Sequence, residues 1–463
     1  MTHDDLAFAD ATTLGNLIAT KRVSSLEITQ LYLDRLERYG NGLGAVVTIM
    51  HDRAKREAKN ADAELARGTR RSSLHGVPYG VKDLLAAIGA PTTWGAEPYR
   101  HQIFDHDATV VERLKDAGCI LLGKLSMVEL AGGFGYNDAD ASFTGPGRTP
   151  WNRNYWSGGS SSGPGACVSA GLVGFAIGSE TNGSILTPSA MCGVTGLRPT
   201  FGRVSRYGAM ALMWSSDKLG PLARSARDTD TILRTIAGAD PKDATAQTRP
   251  FDVPTRRPKI GVFAGATGKT QAAVVRNFNA SLRVLRQFAD VKTNVKLPSY
   301  PYGAIIGTLL NAECAAAFRP LIESGRSREL RSKDDRVGGY IAYATLGVDY
   351  VDAMRLRQFA DRDVRACIAP YDAVVFPTLP TVAYPIGVPF DKVYTDAPGA
   401  IDPVTPANLA GIPSISLPNG FGDHGLPTGL GFVGNLWSEA ALASIAKEYQ
   451  SRTSFHIRRP PGY

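Results

Sequence analysis

The chain has no run of 18 apolar residues, and its start, Met1-Thr2-His3-Asp4-Asp5, is acidic rather than apolar. Neither a membrane-spanning helix nor a secretory leader is expected. Cysteine is scarce: Cys119, Cys167, Cys192, Cys314 and Cys367 are odd in number, far apart and without a C-x-x-C pair. That pattern offers no disulfide framework and suits buried free thiols in a reducing compartment, so a cytoplasmic protein is the default expectation. Basic residues outnumber acidic ones, 51 to 43, yet no five basic residues occur in a row. Without clustering on one face there is no electrostatic footprint for nucleic acid, and Arg256-Arg257 and Arg458-Arg459 read as solvated loop charges. No internal repeat is visible.

What the chain does have is glycine in one place. Residues 156 to 202 hold eleven glycines and eight serines in 47 positions, around the apolar run Val168 to Ile177. Glycine at that density beside apolar residues indicates backbone packed close to backbone or to a ligand, whereas a disordered linker would lack the apolar run. Two serine loops lie inside the segment, Gly158-Gly159-Ser160-Ser161-Ser162-Gly163 and Thr181-Asn182-Gly183-Ser184-Ile185. Upstream, Gly76-Val77-Pro78-Tyr79-Gly80-Val81-Lys82-Asp83 ends a short apolar run in a lysine.

Around this core the hydrophobic period alternates between 3.6 and 2. Residues 12–39 read as two helices, the second opened by the capping box Ser24-x-x-Glu27, followed by a strand at 45–49 and a charged helix at 52–67. Pro78 argues for a strand end or turn rather than a central strand. A helix at 109–117 and a strand at 119–123 form one αβ repeat, and residues 131–157 are a long irregular segment of the kind that carries function. Farther on come a helix at 228–237, a surface linker at 238–258, strands at 259–263, 291–295 and 372–376, a long helix at 271–289 and mainly helical residues 304–370. The proline-rich stretch 377–406, strands at 414–417 and 429–432 and a closing helix at 438–450 complete the chain. Such alternation predicts an α/β/α sandwich, a large mixed sheet covered by helices on both faces.

Three chemistries compete for the serines. Gly159-Ser160-Ser161-Ser162-Gly163 matches G-x-S-x-G with Ser161 as nucleophile, but the residues before it are turn-like, and only His424 and His456 lie downstream to serve as base. A phosphate-binding loop at Gly261 to Thr270 would need glycine where Phe263 stands, and Lys269 reads as an exposed charge in the first turn of a helix. The third is a serine nucleophile activated by lysine, which works only if burial keeps much of the amine neutral. Val77, Val81, Leu84 and Leu85 surround Lys82 with apolar residues, while an ion pair with adjacent Asp83 is the competing explanation.

The ordered blocks of this chain, the lysine motif, the first serine loop, Thr181 to Pro188 and Cys192-Gly193-Val194-Thr195-Gly196-Leu197-Arg198-Pro199-Thr200, together resemble the signature of the amidase signature family. The resemblance extends to Ala407-Asn408-Leu409-Ala410-Gly411-Ile412-Pro413 and covers about residues 10–455. It implies one α/β unit over residues 1–463, with an N-terminal helical part (about 10–70), a signature core (about 71–225) and a C-terminal part (about 259–455). It also implies a metal-free, cofactor-free hydrolase in which Ser184 is acylated, Ser160 follows a cis peptide bond and relays the proton, and Lys82 is the base. Backbone groups of Thr181, Asn182, Gly183 and Ser184 would form the oxyanion hole, and Gly132, Gly133 and Phe134 could line the acyl pocket.

The expected substrate is a small amide or anilide, with carbamate (urethane) or ester also within reach of the chemistry, in a monomer or homodimer without nucleic-acid or membrane partners. An alternative within the resemblance is the glutaminase subunit of a tRNA-dependent amidotransferase, where a tyrosine-rich Gly-Tyr-Tyr-Asp-Ala-Tyr-Tyr pattern is usual; here only Tyr350 and Asp352-Ala353 echo it. A non-catalytic binding protein is more remote. Glu180, Asn182 and Leu186 depart from the aspartate, glycine and arginine usual at their positions, and Ser126 and Ser162 from an asparagine and a glycine.

Overall fold

A computed structural model describes residues 2–463. Its centre is one mixed sheet of eleven strands: β1 (Val46–Ile49), β2 (Pro78–Lys82), β3 (Ile120–Leu125), β4 (Phe175–Glu180), β5 (Thr195–Arg198), β6 (Lys218–Ala223), β7 (Lys259–Phe263), β8 (Asp290–Val295), β9 (Ala373–Pro377), β10 (Ser414–Phe421) and β11 (Pro427–Val433). Their spatial order is β1-β3-β2-β4-β6-β5-β10-β11-β9-β7-β8. β2 runs parallel to β3 and β4, and β7 parallel to β8 and β9, while the other pairings are antiparallel. Helices cover both faces, giving the expected α/β/α sandwich.

Local signals explain most boundaries. Ser24 and Glu27 form the reciprocal cap that opens helix Ser25–Tyr39. Helix Ala226–Ile236 is opened by the Ser225 side chain, which accepts from Asp228 N. Every residue of β2, β3 and β4 is buried, as continuous apolar strands between helical layers should be.

Several expectations need correction. Pro78 does begin a strand, but that strand is internal, between β3 and β4; at its first position the proline disturbs the ladder least. The surface linker expected at 238–258 is largely exposed and irregular from 247 to 257, but its first part is pinned: Asp240 and Asp243 are buried and accept hydrogen bonds from Thr109, Ser205 and Arg206. Lys269 lies before helix Ala272–Phe288, in a turn at φ 50°, rather than in its first turn. All five cysteines are free, but Cys367 is only half-buried.

Candidate active site

Lys82 is the last residue of β2, and its side chain is fully buried. Its Nζ donates to Ser160 Oγ at 2.7 Å and to Ser179 Oγ at 2.9 Å. The neighbouring carboxylate does not reach it. Asp83 stands 2.9 Å from Lys124 Nζ and accepts from the backbone and side chain of Thr93. Lys82 therefore forms no ion pair among the described residues, and burial brings its ammonium down to about 7 against the attraction of Asp217 and Glu180.

The peptide bond Gly159–Ser160 is cis. Val128 N donates to Ser160 O at 3.1 Å, and Ser161 N donates to Ser184 O at 3.3 Å, so the second serine loop is stitched onto the first. Ser161 Oγ donates to Ser179 O and accepts from Ser179 N, which commits that hydroxyl to the edge of β4. His424 sits in an exposed turn at φ 59°, stacked on Tyr155. His456 lies beside Asp10 and Arg224 instead, so the G-x-S-x-G reading of Ser161 has neither a free hydroxyl nor a base.

β4 ends at Glu180 and the chain turns sharply through Thr181, Asn182, Gly183 and Ser184, with Gly183 at φ 82°, a region closed to most side chains. Glu180 closes the turn from inside. Its Oε2 accepts from Ile185 N at 2.8 Å and Leu186 N at 3.1 Å, and its Oε1 meets Arg198 Nη1 at 3.1 Å and Asn408 Nδ2 at 2.9 Å. Burial alone would raise the Glu180 carboxyl, but Arg198, Asn408 and the amide of Ile185 outweigh it and hold it below the usual range. With the next two amides claimed, those of Asn182, Gly183 and Ser184 donate to no acceptor among the described residues. Such unspent donors on a rigid turn can receive a developing oxyanion without reorganising. Asn182 is anchored by Thr405 Oγ1 at 3.1 Å, and Thr181 Oγ1 donates to Asp217 at 2.6 Å.

A cavity lies on either side of this turn. One, about 380 Å³, is walled by Asn182, Gly183 and Thr187 and by the proline-rich stretch, including Tyr384, Asp402 and Thr405. The other is a narrow recess beside Ser179 and Thr181, lined largely by Leu84, Ala131, Met210, Leu212 and Trp214. Gly132, Gly133 and Phe134 do not line it. They stand behind, where Gly133 packs against Leu212 and Cys314, and Phe134 N donates to Asp335.

Sequence reasoning missed three supporting residues: Ser179, Asp217 and Asn408. Ser179 could have been found from the pairing of Val81 with Ile177, which brings the ends of the parallel strands β2 and β4 together. Asp217 is brought in by a distant segment that no local pattern announces, whereas Asn408 lies in the stretch Ala407 to Pro413 that the resemblance covers, without a role attached to it.

The family described as Amidase matches residues 27–443. A Glutamyl-tRNA(Gln) amidotransferase subunit of Anaeromyxobacter dehalogenans is 36% identical over 471 residues, covering 94% of each chain. The native peptide amidase of Stenotrophomonas maltophilia is 32% identical, with a TM-score of 0.85 and 98% of each chain covered. A chain from a vestigial protein complex tied to the origins of an s-triazine catabolic enzyme is 26% identical, with a TM-score of 0.87, covering 98% of this chain and 100% of its own. By its sequence, its fold and its relatives, this chain belongs to the amidase family.

Proposed function

We propose that the chain hydrolyses a carboxamide C–N bond through an acyl-enzyme on Ser184. The observation that carries this reading is a buried lysine, free of any carboxylate, bonded to a serine whose loop is tied to that of Ser184. Ser184 Oγ attacks the carbonyl carbon while its proton passes to Ser160 and that of Ser160 to neutral Lys82. The carbonyl oxygen becomes negative and is received by backbone amides of the turn Thr181 to Ser184. The C–N bond then breaks, the leaving amine takes the proton back through Ser160, and water attacks the ester by the same relay to release the acid and restore Ser184. Carbamates and esters differ only in the leaving group and in the fate of the fragments released, so they belong in the same assay.

A second reading is that the amide is glutamine and the ammonia passes to a partner protein. It is favoured by the curated relatives at 33–36% identity, which are named as subunits of Glutamyl-tRNA(Gln) amidotransferase, and their names weigh more heavily for it than for a stand-alone hydrolase. Leu186 in place of arginine and the absence of the tyrosine-rich pattern around Tyr350 favour the first reading. Purified protein would be incubated with a nitroanilide, an aryl ester, a simple carbamate and glutamine, beside Ser184→Ala. Turnover of glutamine alone selects the second reading. Full activity in Ser184→Ala removes the nucleophile from both.

A further inference from the structure

The turn Thr181 to Ser184 is gripped by the stretch just before β6. Ser216 N and Asp217 N both donate to Met213 O, at 2.8 and 2.9 Å, which folds this stretch into a tight turn of its own. The Asp217 carboxylate accepts from Leu212 N at 2.8 Å and Met213 N at 3.1 Å, so it is fixed by its own loop. It also accepts from Thr181 Oγ1 at 2.6 Å. Ser216 is fully buried, and its Oγ lies 3.4 Å from Thr181 O and 3.5 Å from Asn408 O, the two carbonyls to which it donates. Thr181 is thus held twice, at its hydroxyl and at its carbonyl, by two consecutive residues.

The hold on the carbonyl has a geometric consequence. The peptide bond from Thr181 to Asn182 is trans, and in a trans peptide the C=O and the following N–H point in opposite directions within one rigid plane. Fixing Thr181 O towards Ser216 therefore turns Asn182 N–H away from it, to where that amide meets no acceptor among the described residues. The Asn182 side chain is tied to Thr405 Oγ1 at 3.1 Å, so the plane is secured at both ends.

We infer that Ser216 and Asp217 are positioning residues: through Thr181 they aim Asn182 N–H at the oxygen that becomes negative when Ser184 attacks. This rests on the reading of Ser184 as the nucleophile. A donor stabilises the transition state best when it is aimed before the reaction begins, so a loosened peptide lowers kcat while the fold stays intact. Two buried hydrogen bonds made for stability alone would instead lower the melting temperature on removal and leave kcat unchanged.

Thr181→Val keeps the shape of the side chain and removes its donor to Asp217, Thr181→Ser keeps the donor, and Ser216→Ala releases the carbonyl. The values of kcat and KM would be measured on whichever of a nitroanilide, an aryl ester and glutamine the wild type turns over, with Ser184→Ala alongside. Affinity would be measured for the aldehyde of the same acyl group, whose adduct with Ser184 sets a tetrahedral oxygen at the turn, and for the free acid. Thr181→Val and Ser216→Ala are each expected to lower kcat about 10- to 10²-fold with KM within about twofold, less than the 10²- to 10³-fold of a donor lost outright. Both are expected to weaken the aldehyde by the same factor and leave the acid's affinity unchanged, and Thr181→Ser to stay near the wild type. With Ser184→Ala inactive, a wild-type kcat in Thr181→Val and Ser216→Ala, or aldehyde and acid weakened alike, overturns the inference and leaves the nucleophile standing. Full activity in Ser184→Ala removes both.

Discussion

Lys82 can take a proton only while uncharged, and its surroundings bring it to about 7. The rate constant kcat/KM is expected to be low in acid and to rise as pH passes through about 7, and a pH profile with a nitroanilide or glutamine checks this. The same shift acts on stability. The folded chain releases the Lys82 proton at about 7, but the unfolded chain keeps it to 10.5. The unfolded state therefore binds more protons in that window, and this contribution to stability rises with pH across it. Lys82→Ala is expected to cut turnover by about 10²- to 10⁴-fold, the range for losing a general base, and to flatten the limb near 7. The meeting of Lys82 with Ser160 was legible in the sequence because the family spaces these residues in a recurrent pattern. Asp83 could not be assigned that way: only the fold reveals that it turns to Lys124, since adjacent residues at a strand end point to opposite sides.

At the scale of elements, the loop at residues 129–134 is tied to the start of helix Lys333–Tyr343 by two buried acids. Glu129 accepts from Arg331 N and Ser332 N, and Asp335 accepts from Phe134 N. Burial raises both carboxyls, and the nearby Glu129 raises Asp335 further, so the folded chain holds protons here that the unfolded chain has lost. The sign follows: the native state binds more protons above the ordinary carboxylate range, so stability from this tie falls as pH rises through and beyond that range. Hydrogen exchange of residues 129–134, corrected for its intrinsic pH dependence, is expected to quicken as pH rises, and Asp335→Asn is expected to remove most of that trend. No sequence pattern pointed to this pair, because about 200 residues separate its members. By contrast, helix Ser25–Tyr39 was legible from its capping box, whose members are three residues apart.

At the scale of the molecule, the sheet is made of two runs of strands, β1 to β6 and β7 to β11, that meet only where β5 pairs with β10. Arg198 sits in that pairing. It bonds Glu180 on one side and Ile412 O and Ser414 Oγ on the other. Arg198→Leu would leave Glu180 a buried charge without its ion-pair partner, with an expected loss of about 3–5 kcal/mol in urea unfolding. Activity is expected to fall with it, because Glu180 also holds the turn before Ser184. Strand identity was legible from apolar period. Strand order was not, since the antiparallel join between residues 196–198 and 414–416 is set by contacts more than two hundred positions apart.

The turn before Ser184 hangs from a short join in the sheet, where three residue pairs link β5 to β10. A slight shear there would slacken the grip of Glu180 before either half of the protein lost its helices. Turnover should accordingly vanish at a lower urea concentration than the far-ultraviolet dichroism, leaving a silent enzyme that still looks folded.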